Sequence, residues 1–286
     1  MAQAQIQQVE QATSWLGCAA EEISNPFDLS AVRSSKEWRA QKVIVYGVPG
    51  IGKTTFAATF PKPILLRTEN GASALDIPTF PAVLTKMGQL NDVFKALAGP
   101  HDYKTLIIDS LDWLEPLVFN AVLSKNNRDH PDNIKESIED FGYGKGYVKA
   151  KELWSKLFSE LDKLVAKGVN VVSIAHAAAV TFEPPDADAY QRYSLKMNKH
   201  SAALWMEWSD MILFTNYKTN VVKSEKGKSQ GKGHGDRVLY TQERPAFQAK
   251  SRYALDAEIY IGNDQSWSAF HENLRESTHG AYSQEN

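Results

Sequence analysis

Among 286 residues there is one cysteine, Cys18. A single thiol excludes an intrachain disulfide and any zinc site built on paired cysteines, and it suits a reducing compartment. No stretch approaches the eighteen or so uninterrupted apolar residues of a membrane-spanning helix, so no membrane association is expected. Excess charge of either sign is missing too. The net is −2, so any nucleic-acid contact has to come from local patches rather than from global attraction. The first ten residues are rich in Gln and Ala and lack the basic segment and apolar core of a secretory signal, which makes the cytoplasm the expected location. What is present is an ordinary mix, 43% hydrophobic and 23% charged, in a chain long enough to bury a full core.

The stretch that organises the chain is Gly47-Val48-Pro49-Gly50-Ile51-Gly52-Lys53-Thr54-Thr55. It follows the apolar run Val43-Ile44-Val45-Tyr46 and precedes a helix-compatible run, Phe56 to Phe60, closed by Pro61. Every fixed position of G-x-x-x-x-G-K-[ST] is filled. A buried strand thus delivers a glycine-rich turn whose backbone N–H groups surround an anion. Glycine is required where the chain approaches phosphate oxygens and adopts dihedrals that a Cβ would block. Lys53 is expected on the β- and γ-phosphates of ATP and the Thr54 hydroxyl on Mg²⁺.

From Lys42 the pattern is regular. Apolar β-prone runs at 42–46, 63–67, 105–109 and 169–175 alternate with helical segments, the signature of parallel strands with crossover helices. The clearest helix is 148–167, with Leu153, Trp154, Leu157, Phe158, Leu161, Leu164 and Val165 at three- and four-residue steps and Gly168 as its stop. That aromatic stripe reads as core. Runs at 211–216, 238–241, 246–249 and 257–261 predict antiparallel additions. The expected division is an N-terminal extension at 1–40, either a covering tail or an arm between protomers, a core at 41–262 and a polar tail at 263–286.

Four further pieces surround the phosphates. Thr105-Leu106-Ile107-Ile108-Asp109-Ser110 is a buried strand that would bring Asp109 beside Thr54, to hold Mg²⁺. The strand Pro63 to Thr68 ends at Glu69, which reads either as an exposed loop acid or as the base that activates the attacking water. His176 follows the strand Val169 to Ala175, where it is structural or a sensor of the γ-phosphate. Lys250 and Arg252 share one face of an extended segment. They are surface charges or fingers aimed at phosphate in a neighbouring protomer's site. The segment 218–237 carries six Lys or Arg against Glu225 and Asp236, a local charge of +4. It reads as a solvated hairpin tip or as a DNA-backbone contact.

These five pieces in this order resemble the RecA-like core ATPases, and more narrowly the phage-encoded AAA-type proteins that act as ATP-dependent single-strand annealing recombinases. The resemblance covers about residues 41–262. Its more specific elements are Thr68-Glu69-Asn70-Gly71 through Leu75-Asp76, Ile108-Asp109-Ser110, Phe141-Gly142-Tyr143-Gly144-Lys145-Gly146, Ile174-Ala175-His176 and Lys250-Ser251-Arg252. It implies an α/β fold with a mostly parallel sheet flanked by helices and an antiparallel extension toward the C-terminus. It implies a Mg²⁺-dependent ATPase, stimulated by DNA, that assembles as a homo-oligomer, ring or filament, on single-stranded DNA, with a single-strand-binding protein as a further partner. Two DNA-contacting loops map to about 124–146, with Phe141, Tyr143 and Lys145, and 177–200, with Tyr190, Arg192, Lys196 and Lys199. His176 stands where RecA has Gln, and no separate N-terminal DNA-binding domain is evident, so annealing fits better than full strand exchange. The alternatives are a ring helicase or loader of the same fold, and a nucleotide-gated binding module that hydrolyses little. A small-molecule kinase would leave Lys250 and Arg252 without a role.

Overall fold

The computed structural model describes residues 39–71, 75–218, 220–223, 229–232, 236–261 and 267–278, with Leu29 and Val32 as isolated positions. The chain divides into two compact units, Met1–Glu37 and Trp38–Asn286. Nearly all of the first, including most of the extension expected at 1–40, lies outside the described residues. The sheet and its helices belong to the second.

Strands β1 (Lys42–Gly47), β2 (Pro63–Arg67), β3 (Thr105–Asp109) and β4 (Asn170–Phe182) coincide with the four apolar runs. Among the described residues the sheet has nine strands, in the order β11-β9-β6-β1-β4-β3-β2, with β5 and β10 paired to β4 and β6 off that path. Neighbours from β6 (Met211–Tyr217) through β1, β4, β3 and β2 are parallel. The antiparallel additions are β5 (Tyr190–Leu195), β9 (Arg237–Tyr240), β10 (Lys250–Ser251) and β11 (Glu258–Ile261). This is the α/β architecture expected, with its antiparallel strands toward the C-terminus.

Continuous rather than alternating apolar runs mark a sheet covered on both faces. Val43, Val45, Ile107, Val172 and Leu213 point into one layer, which is closed by α1 (Lys53–Ala58) and α6 (Ser268–Ser277). Ile44, Tyr46, Leu106, Ile108 and Phe214 point into the other. That layer is closed by α2 (Leu90–Ala98), α3 (Leu111–Asp129), α4 (Lys145–Ala166) and α5 (Lys199–Trp208). The aromatic stripe of α4 is core as expected: Trp154 is fully buried and meets Trp205 edge-on at 5.6 Å between centroids. Gly168 follows the C-cap Lys167 with φ 84°, a conformation a Cβ would oppose.

Several expectations are corrected. Residues 246–249 form no named strand. Phe247 and Arg244 close a tight turn on each other, and the pairing edge is Lys250–Ser251. The first expected loop is helical through Asp129, and the second is largely a β4–β5 hairpin, because Ala177 to Phe182 pair in register with Leu195 to Tyr190. The polar tail expected at 263–286 includes α6; its N-cap Trp267 and its Phe270 pack on Phe56 of α1, and Leu274 is buried in the same layer. Of the basic stretch 218–237, residues 219, 224–228 and 233–235 lie outside the described residues. The remainder includes a short hairpin of β7 (Asn220–Lys223) and β8 (Ser229–Lys232). No helix among the described residues is long and apolar enough to cross a membrane.

Candidate nucleotide site

The parallel pairing of β1, β4 and β3 stops at one edge, with Gly47 level with His176 and Asp109 level with Ile174, and such a C-terminal edge is where ligands bind in an open α/β sheet. Gly47 closes β1 against Thr215 of β6 so tightly that a Cβ there would lie 2.2 Å from the Thr215 carbonyl oxygen. Beyond it Gly50 and Gly52 take φ of 75° and 99°, and Gly52 caps α1. The sequence folds the loop this way because glycine enters the left-handed region without the usual side-chain penalty. A cavity of about 410 Å³ opens at this edge, lined among others by Lys53, Thr54, Thr55, Glu69, Asp109 and His176. Candidate residues from four separated segments thus come together.

Thr54 donates its hydroxyl to Asp109 Oδ2 at 2.8 Å. Burial pushes the Asp109 carboxyl upward, against the hydrogen bond from Thr54. Lys53 is buried, its ammonium turned back onto the carbonyl oxygens of Gly47 (3.2 Å) and Val48 (2.9 Å). Burial pulls the Lys53 ammonium down, opposed by Asp109, Asp112 and Glu69. Neutral carbonyls compensate a buried cation poorly, so a polyphosphate in the cavity would be its stronger partner. The hard oxygens of Thr54 and Asp109 suit Mg²⁺, which takes one or two protein ligands and completes its shell with phosphate and water. The residues present therefore fit both groups.

Glu69 is held rather than loose. Thr68 and Ser110 stitch the ends of β2 and β3 together through Thr68 Oγ1 to Ser110 O (2.8 Å) and Ser110 N to Thr68 Oγ1 (2.6 Å). Ser110 Oγ then donates to Glu69 Oε1 at 3.1 Å. His176 is oriented by Asp112 at the first turn of α3, which accepts from His176 N (3.1 Å) and faces Nδ1 (2.9 Å), leaving Nε2 for the cavity. Burial alone would raise the Asp112 carboxyl; the His176 hydrogen bonds outweigh it and hold it below its usual value. The sequence did not single out Ser110 or Asp112 as site residues. Ser110 entered only as part of the Ile108-Asp109-Ser110 element, and the signal for Asp112 is its place three residues after Asp109, in the first turn of α3.

Lys250 and Arg252 are not brought to this cavity. In the β6 ladder Lys250 pairs with Ile212, as does Ile44 of β1, three residues before the P-loop begins. That is about 10 Å back along the strand, and Arg252 lies further still. Lys250 Nζ donates to the Met206 carbonyl at 2.7 Å, and Arg252 pairs with the buried Asp210 at 3.0 Å, a carboxylate that Arg39 also reaches at 3.2 Å.

The candidate DNA contacts are sorted by their surroundings. Tyr143 is fully exposed, at φ 49° between Gly142 (66°) and Gly144 (70°), and Lys145 beside it is exposed. Phe141 is instead partly buried against the core, with Lys149 over its ring. Arg192 is already engaged, pairing with Glu243 from the segment after β9 at 3.2 Å and lying 3.7 Å over the Phe182 ring of its own hairpin. Lys196 and Lys199 are exposed, and the Tyr147 and His200 rings, 5.0 Å apart, join the start of α4 to the start of α5.

Among curated proteins the chain is similar to the SPbeta prophage-derived uncharacterized protein YorG of Bacillus subtilis (strain 168), 28% identical over 198 residues, 68% of this chain. It spans about half (55%) of that relative's length. Among solved structures, the KaiC-like protein PH0186 of Pyrococcus horikoshii OT3 aligns over 79% of this chain and 88% of its own, at 14% identity and a TM-score of 0.42. The flagellar accessory protein FlaH of Methanocaldococcus jannaschii aligns over 79% and 86%, at 12% identity and a TM-score of 0.40. A family model matches residues 39–253, from just before β1 to just past β10, and so takes in the P-loop and every residue of the cavity. Matched over this span, which is most of its length, the chain belongs to the AAA domain family (AAA_24).

Proposed function

We propose that the protein is a Mg²⁺-dependent ATPase that binds single-stranded DNA as an oligomer and promotes annealing or pairing of strands. The observation that carries this reading is that one residue touches both halves of it. The His176 ring lines the nucleotide cavity while its carbonyl accepts from Lys196 N at 2.8 Å, at the root of the hairpin expected to meet DNA. The next turn is tied to the same helix: Glu115 of α3, three residues after Asp112, accepts from Asn198 N at 3.0 Å. A change at the γ-phosphate therefore has a short bonded route to the exposed lysines.

In this reading the P-loop amides and Lys53 bind the polyphosphate, and Thr54 with Asp109 holds the metal, whose chemistry is to neutralise charge on the β- and γ-oxygens. Glu69, fixed by Ser110, takes the proton of the attacking water. Lys250 and Arg252 serve a neighbour's site, since their end of the sheet faces away from their own P-loop. Tyr143 offers a ring for a base to stack on, and Lys145, Lys196 and Lys199 follow the backbone. A residue held in the left-handed region with its whole ring in water is poorly explained by packing and fits a contact surface.

Lys53→Ala should abolish Mg²⁺-dependent hydrolysis without unfolding the chain; hydrolysis at the parental rate would remove the P-loop from the chemistry. Anisotropy titrations with single-stranded oligonucleotides test the DNA half. Tyr143→Ala should weaken binding by about 1–3 kcal/mol, the worth of one stacked base, and Phe141→Ala by much less. Affinity should also fall steeply with salt. Equal affinity for Tyr143→Ala and parent, or a preference for duplex, would sink the assignment.

A further inference from the structure

We propose that Arg237 is a second cation of the nucleotide site, holding the α- and β-phosphates from the flank of the P-loop opposite the metal. This rests on the nucleotide-binding reading and adds to it a residue contributed from far along the chain.

Position comes first. In the β6–β9 ladder Leu239 pairs with Thr215 and Arg237 with Tyr217, while Thr215 also pairs with Gly47 of β1. Arg237 therefore stands two residues beyond the level at which β1 becomes the P-loop, at the cavity end of the sheet. Its side chain reaches the loop itself: a Cβ built on Gly52 would lie 3.3 Å from Arg237 Nη1 and 3.5 Å from Trp267 Cζ2. A Cβ at Gly52 would crowd the guanidinium by a few tenths of an ångström, so the two are in close contact.

The second observation concerns partners. Arg237 Nη1 is buried and has no hydrogen-bond acceptor among the described residues, nor does Arg237 pair with any carboxylate among them. Arg39, Arg192 and Arg252, by contrast, each meet a carboxylate at 3.0 to 3.2 Å. A guanidinium nitrogen shut from water with no acceptor is unfavourable, and the arrangement is understandable when an anion completes it. The turn it packs against is an anion cradle, and the planar fork of arginine suits phosphate oxygens.

Strand order decides which phosphates. In β9-β6-β1-β4-β3 the P-loop strand β1 lies between Arg237 on one side and Asp109 and His176 on the other. Glu69, Asp109 and His176 surround the place for the γ-phosphate and the metal. The opposite flank is left for the α- and β-phosphates, which ATP and ADP share. The chemistry recognised is thus a nucleoside diphosphate unit, independent of hydrolysis.

The test compares Arg237→Met, which removes the charge at similar length, with Arg237→Lys, which keeps it, and with Lys53→Ala, all in the full chain. ATP and ADP affinities are measured with Mg²⁺ by titration, alongside melting with and without nucleotide. Arg237→Met should weaken ATP and ADP alike, by about 10- to 100-fold for a lost charge-assisted contact. The ATP-to-ADP affinity ratio should hold within a few-fold, and Arg237→Lys should recover part of the loss. Nucleotide-free Arg237→Met should melt no lower than the parent, since an unpaired buried charge has gone, while its stabilisation by nucleotide shrinks. Parental affinity in Arg237→Met with binding lost in Lys53→Ala overturns this inference and leaves the nucleotide site standing. Parental affinity in Lys53→Ala as well overturns the nucleotide reading itself. A loss confined to ATP overturns the placement on the shared phosphates. A lower nucleotide-free melting point with unchanged affinity makes Arg237 a packing residue.

Discussion

Glu69→Gln should bind ATP and hydrolyse it roughly 10²–10⁴-fold more slowly than the parent, the range for losing a general base. Glutamine keeps the shape and can still face Ser110 Oγ, whose 3.1 Å bond fixes the side chain, but it cannot accept a proton from water. The structural cost should be small, because Glu69 is only partly buried and lies outside the apolar layers. Single-turnover hydrolysis, with nucleotide binding measured in parallel, checks the expectation. A rate within a few-fold of parent would return Glu69 to the role of a loop acid held by its neighbours. Ser110→Ala is the companion variant. It leaves the base in place without its anchor and should lose less than Glu69→Gln does.

A still larger loss is expected of the double variant Lys250→Ala/Arg252→Ala, about 10³–10⁵-fold in turnover if the pair acts as a finger on transferring phosphate. Both cations sit toward the end of the sheet away from their own P-loop, so as fingers they would reach phosphate only in another copy, through a head-to-tail contact between protomers. Specific ATPase activity should then rise with protein concentration until assembly saturates. Mixing the double variant with Lys53→Ala should restore part of the activity, because each inactive copy supplies the half-site that the other lacks. The rival reading is specific: Arg252 is anchored by Asp210 and Lys250 by the Met206 carbonyl, so the pair fastens β10 to β6 and α5. If it is only a fastener, the double variant melts lower and the mixture stays inactive while pull-down confirms mixed assemblies.

Parts of the fold whose causes are local could be read straight from the order of residues. Four apolar runs became β1 to β4 within a residue at most of their boundaries, β4 extending past its run into the hairpin. The P-loop was legible because two glycines, a lysine and a threonine at fixed spacing leave the backbone few alternatives. Asp109 was legible for a related reason: an acid at the end of a fully apolar strand can only emerge at the sheet's edge. The stripe of α4 declared its buried face through side-chain period alone.

The remainder depends on which strand lies beside which. Strand order is set by pairing between segments more than a hundred residues apart, such as β1 with β4 and with β6, and no local pattern encodes it. That order sends Lys250 and Arg252 to one end of the sheet and Arg237 to the other, although all three are cations within one antiparallel stretch. Tertiary packing also separates Tyr143, thrown into solvent between two left-handed glycines, from Phe141, drawn back onto the core. It makes Asp112 the partner of His176, 64 residues away, and gives the C-terminal segment a helix, because Phe56 needs Trp267 and Phe270 to be covered. A sequence states which groups are available, but apolar burial on both faces of one sheet and the need to pair every edge choose which of them meet.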